Sequence, residues 1–270
     1  LGLIAGGLSV MGRSLEGTVL QLLAIAIACF AASLFIPPTS CAAPGLRANV
    51  NVFASTWAFL REIAHDPVLW TRSVAVSWFW MSGAVAISLV PVVARNKTGG
   101  GIEVETALTA LFALGIGTGA IAAAVIARGR IYLKPVPFAA LGLAAFLIDL
   151  GAATFFLPVA TADVGLAEFF SSVAGIRIAC DVVGLASSGA LFVVPLFTAI
   201  QADAPKERRA RIVGGVNILN SAFMVLGALA TAGLQSSRVG VPEPALLASL
   251  GVLNLGAAYY VRKSAAQGAA

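Results

Sequence analysis

Residues 212–237 read IVGGVNILNSAFMVLGALATAGLQSS, and the ten residues before them read ADAPKERRAR. The first run holds no charged side chain and exceeds the ~20 residues that an α-helix needs to cross a bilayer. The second is a tight charged loop. A long apolar window abutting a short charged one is the signature of a membrane span and its connection. The same pattern repeats outward from this point. Uncharged windows cover 17–46, 73–94, 106–127, 182–202 and 244–261, and a further window, 135–162, is broken only by Asp149. The pattern predicts seven spans, at about 18–36, 73–94, 105–126, 137–158, 177–200, 212–234 and 244–262.

Composition agrees. Of 270 residues, 59% are hydrophobic and 11% charged, with a mean hydropathy of +0.96. A soluble domain carries about 25% charge and about 45–50% apolar residues. Soluble enzymes, nucleic-acid binders, disordered chains and disulfide scaffolds are therefore poor readings. Cys29, Cys41 and Cys180 form no even framework and no metal-ligand spacing. With a single histidine, no metal or cofactor is expected. Residues 1–12 are apolar and Gly-rich, too short to span and without the basic start of a signal peptide. They read as the tail of a helix cut upstream.

Charge distribution sets the orientation. Loops alternate sides, and basic residues in short loops stay in the cytoplasm. Arg47, Arg61, Arg72, Arg128, Arg130, Lys134, the four bases of 206–211, Arg262 and Lys263 fall on one side; Arg13, Arg95, Lys97, Arg177 and Arg238 fall on the other. The first side is expected inside, together with the C-terminus. The net charge of +5 then needs no nucleic acid. The expected organisation is a remnant of an N-terminal half (1–36), a central cytoplasmic loop (37–72), a six-helix half (73–262) and a tail (263–270). Two-halved transporters are built this way, with substrate near the midplane. Within the loop, Phe53, Trp57, Leu60 and Ala64 recur at helical spacing opposite Arg61 and Glu62. Two placements are open for this amphipathic helix: on the membrane surface, or packed on the bundle.

Several polar residues stand inside or beside the spans. Asp149 lies about 12 residues into its window, roughly 18 Å deep, with no partner nearby in sequence. Arg177 and Asp181 are four apart and share a helix face. An ion pair that orients the helix and a lining for a polar headgroup or a coupling proton are both open for them, because an acid in a span faces a cavity or a partner. Asn217, Asn220 and Ser221 stack on one face. Either interhelical hydrogen bonds or a substrate satisfies them. Trp78 and Trp80 sit past the interface, for core packing or contact with an acyl chain. Gly115-Ile116-Gly117-Thr118-Gly119-Ala120 fits a dinucleotide fingerprint, but it lies within an uncharged helical window. Its glycines, four apart, instead allow close helix packing. Pro195 is expected to kink the end of its helix.

These residues resemble the C-terminal part of a major facilitator superfamily transporter of the lysophospholipid transporter branch. The resemblance runs from about Phe53 to Tyr260. It rests on Ser77-Trp78-Phe79-Trp80 with Pro91, on Arg177 to Asp181, on Val194-Pro195-Leu196 through Gln201, and on Arg211 to Met224 with Asn217-Ile218-Leu219-Asn220. It departs at Val216, where a further asparagine is expected, and in the acid-poor stretch Ala127-Arg128-Gly129-Arg130. Membership implies an all-α membrane protein with a facilitator-type bundle of 12 helices, of which about seven full ones are here. It implies that lysophospholipids, chiefly lysophosphatidylethanolamine, move from the outer to the inner leaflet of a bacterial inner membrane for reacylation. On this reading the candidate substrate-binding residues, taken from the polar and aromatic groups above, are Asp149, Arg177, Asp181, Asn217, Asn220 and Trp78. The implied partners are membrane lipids and an acyltransferase, separate or fused. His65-Asp66 lacks the spacing of an acyltransferase motif, so no enzyme activity is expected of this chain. Alternatives are an exporter of drugs or other small solutes, the membrane domain of a multidomain acyltransferase, and a non-transporting scaffold.

Overall fold

The computed structural model describes residues 15–37 and 50–267. Expectations attached to residues 1–12, Arg13, Cys41 and Arg47 lie outside them. The described elements are helices: α1 (Leu15–Ser33), α2 (Val52–Ala64), α3 (Pro67–Thr98), α4 (Ile102–Ala127), α5 (Val136–Phe155), α6 (Leu166–Ser171), α7 (Val173–Asp203), α8 (Arg209–Gln235) and α9 (Glu243–Gln267). Among the described residues the one β feature is a parallel bridge between Gly100 and Val164. The chain is an all-α, multi-pass membrane protein. Six helices (α3, α4, α5, α7, α8 and α9) are long and apolar enough to cross a bilayer. The first expected span, 18–36, meets α1 (Leu15–Ser33), an apolar helix of 19 residues that ends three residues earlier. Beyond it, Leu34, Phe35 and Ile36 form three-residue turns, because the residue before Pro37 is driven out of the α region.

Local chemistry sets the other ends. Asp66 caps α3, its carboxylate accepting from the Val68 and Leu69 amides, with Pro67 in the first turn. The helix thus begins six residues before the expected span. It closes on Gly99, whose φ of 71° is the left-handed cap glycine accepts. Ser172 caps α7 through the Gly175 amide. The fourth expected span stops early, at Phe155, since Pro158 disfavours helix at Leu157. Pro195 lies inside α7, which continues to Asp203.

The packing is symmetric when α3, α4 and α5 are exchanged for α7, α8 and α9. Helix α4 packs on α7 and α8 on α3; α5 packs on α7 and α9 on α3; α3 meets α7 and α5 meets α9. Two spans lie between each pair of matching helices, so the triplets run in opposite directions across the membrane. The leading helices match in detail. They are 32 and 31 residues long, and each carries an internal proline, Pro91 and Pro195, late in its length. The helix packing expected of Gly115 and Gly119 is present. A Cβ on Gly119 would lie 2.1 Å from the Ser187 carbonyl oxygen of α7, and one on Gly115 2.7 Å from the Ala186 methyl. At the end away from the basic loops, the α5–α6 connection straps onto α3. The amides of Ala160 and Val164 donate to the carbonyls of Asn96 and Gly99, each at 2.8 Å.

Candidate functional site

Three charged side chains meet near the end of the bundle away from the basic loops. Arg177, in the first turns of α7, holds Asp149 of α5 through two hydrogen bonds, from Nε at 2.9 Å and from Nη2. This fork-on-carboxylate geometry suits a guanidinium. The expected pairing of Arg177 with Asp181 is thereby corrected: the cross-helix acid takes both donors. Asp149 also gains the partner it lacks in sequence. It sits six residues before the end of α5, roughly 9 Å along the axis. Asp181 is 4% exposed and its Oδ2 has no hydrogen-bond partner. It lies within electrostatic range of both Asp149 and Arg177. The cluster therefore holds two acids and one base. The Arg177 and Asp149 side chains are 50% and 42% exposed, so the pair is open to an incoming group.

One helical turn beyond Asp181, the same helix changes character. Leu185, Ala186, Gly189, Ala190 and Val193 line a cavity of about 380 Å³. Phe79, Trp80, Ser82 and Ala86 of α3 close it, with Phe112 and Ile116 of α4, Leu143 and Leu147 of α5 and Met224 of α8. Its wall is apolar but for one group. Ser82 is 2% exposed and its hydroxyl has no partner.

No family model, curated protein or solved structure matches the chain. What it does therefore rests on this geometry and on the residues themselves.

The remaining expected site residues divide. Asn220 of α8 is buried and accepts a hydrogen bond from the Ser77 hydroxyl of α3 at 2.8 Å. Its amide reaches the Asn217 side chain at 3.5 Å. Trp78 donates its indole N–H to Asn254 of α9 at 3.1 Å. Asn220 and Trp78 thus join helices. They are not brought to the charged cluster, and Trp80 lines the apolar cavity where Trp78 does not. Asn217 is exposed on α8, and the Ser221 hydroxyl bonds its carbonyl. Sequence reasoning missed Asn254, Ser77 and Ser82. Asn254 was findable as the lone amide in the 244–261 window; a serine in an apolar helix gives no such signal, since it commonly bonds its own backbone.

The basic end is laced by other pairs. Arg72 of α3 meets Asp203 at the end of α7. Glu62 of α2 meets Arg211 at 3.4 Å and Arg208 at 3.7 Å. Helix α2 packs on α8 through a fully buried Ile63, and Arg211 stacks over the Phe59 ring at 5.4 Å. The expected apolar face is not the packed one: Phe53 and Trp57 are 89% and 69% exposed. The helix is docked on the bundle by one face and presents aromatics on another. His65 and Asp66 serve the α2–α3 joint, His65 Nδ1 to the Arg61 carbonyl at 2.6 Å and Asp66 as the cap of α3.

Proposed function

We propose that this chain belongs to a transporter that moves a lysophospholipid across a bacterial inner membrane, its basic end and C-terminus in the cytoplasm. The observation that carries the reading is the polarity of α7. Arg177 and Asp181, joined by Asp149, stand at one end, and an apolar cavity of about 380 Å³ begins one turn further along. A lysophospholipid has the same polarity, with one zwitterionic head and one tail. The guanidinium suits the phosphate, and the two carboxylates suit an ammonium. A lysophosphatidylethanolamine head carries both. The cavity offers its wall to a single chain, with Trp80 and Phe79 as aromatic contacts.

The two inverted triplets support a transport role. Nested inverted repeats are the build of facilitator halves, in which rocking about a midplane site alternates access. The orientation rests on the excess of bases in the loops at one end. A possible acyltransferase partner follows from the resemblance alone. Within this reading the chain's work is to bind, screen and release; no bond is made or broken.

The test is reconstitution of the full-length protein in liposomes with labelled lysophosphatidylethanolamine, empty liposomes serving as control. Protein-dependent crossing is expected. Folded protein without crossing would end the lysolipid reading and leave a carrier of another small solute.

A further inference from the structure

We propose a second lipid site at the basic end, in the groove between α4, α5 and α7, that holds an anionic phospholipid of the adjacent leaflet. The groove has a volume of about 410 Å³. Ile126, Phe138, Ala139 and Leu191 supply apolar walls, and Tyr132 and Lys134 stand at its rim. The connection from α4 to α5 borders it. That connection carries Arg128, Arg130 and Lys134 and no acid. All three are exposed, and none of them forms an ion pair among the described residues. Elsewhere at this end, Arg72, Arg208 and Arg211 meet Asp203 or Glu62.

Loop charge of this sign follows from orientation alone. What orientation does not explain is its union with a chain-sized groove. Helix α5 adds to the field: its first turn has no acid and no side-chain cap, leaving the positive end of its dipole toward the same place. Arg128 is the one described residue other than glycine with a positive φ, 47°. Gly129 follows in the same region, so the chain turns sharply there and both arginines stay on the surface. An anionic phospholipid fits this set. Its phosphate and headgroup meet the three cations, Tyr132 lies at the interface where aromatic side chains favour the headgroup level, and one acyl chain lies along the groove. A zwitterionic lipid brings no net charge to balance them. The proposal rests on the membrane fold and the groove, and is independent of what the protein carries.

The test is native mass spectrometry of the full chain released from vesicles of phosphatidylethanolamine and phosphatidylglycerol. Wild type is expected to retain phosphatidylglycerol preferentially. The triple substitution R128Q/R130Q/K134Q is expected to cut that preference at least about tenfold, from the attraction of about 1 kcal/mol that each surface base gives an anionic membrane. R128K/R130K should keep it, and so should K206Q/R209Q, which removes bases that belong to the α7–α8 connection and do not line the groove. A wild-type chain without preference overturns the proposal whatever the variants do. So does equal loss from K206Q/R209Q, which would show a diffuse charge effect, or full retention by the triple variant.

Discussion

The two leading helices of the inverted triplets each carry an arginine in their second turn, and the two arginines have different fates. Arg72 follows Pro67 by five residues in α3; Arg177 follows Val173 by four in α7. Arg72 is shielded, with 15% of its side chain exposed, and meets one acid, Asp203. Charge there is balanced one to one, and the pair joins the start of α3 to the end of α7. Arg177 is half exposed and meets one acid while a second stands beside it with a buried oxygen unbonded. Positions one residue apart in the inverted repeat thus give a latch at one end and an unsatisfied cluster at the other. A buried group without a partner costs stability unless something else satisfies it. That imbalance, rather than the presence of charge, supports the proposal that a ligand binds at the second end.

The comparison is open to breaking. The largest expected effect is Arg177→Leu, which should reduce lysolipid crossing to the empty-liposome rate while membrane insertion, followed by protease accessibility, is unchanged. Arg72→Leu should do the reverse. It should lower thermal stability by about 0.5–1 kcal/mol, the range of a partly exposed ion pair, with crossing per folded molecule nearly unchanged. Equal loss of crossing in both would abolish the distinction between latch and site.

Asp181→Asn sharpens the charge count. It leaves one acid and one base, so it should weaken recognition of an ethanolamine head by about tenfold, the cost of one charge-assisted contact. It should shift preference toward an anionic lysophosphatidylglycerol. Competition between the two labelled lipids in the same liposomes reads this out. An unchanged ratio would mean that Asp181 does not face the head.

Polar side chains in the spans offer the smaller effects. Asn220→Leu removes the Ser77 contact and should cost about 0.6 kcal/mol and at most about 1.7 kcal/mol, the range of interhelical hydrogen bonds in membranes. Thermal unfolding in detergent measures it, with crossing following the folded fraction. Ser82→Ala should change stability least of all, because its hydroxyl has no bond to lose. A large fall in crossing in that variant would make the hydroxyl a contact for the chain in the cavity.

Much of the architecture was legible because membrane spans are written in composition. Long uncharged windows and the charges that end them follow from the cost of leaving polar backbone or side chains in lipid, and the glycines of α4 from close helix packing. The sequence therefore determined the helical class, the six spans from α3 to α9 and the segregation of basic loops. Helix ends were less legible where caps acted: Asp66 with Pro67 lengthened α3, and Pro158 shortened α5. Which polar residues face one another was decided only by tertiary structure. Asp149 and Arg177 are 28 apart in sequence, and no periodicity links residues on different helices. Asn220 and Trp78 stood out because an amide or indole within an apolar helix must find a partner, and here the neighbouring helices supply one. Packing chose between helix partner and open face, and one turn of α7 set a charged cluster against an apolar cavity.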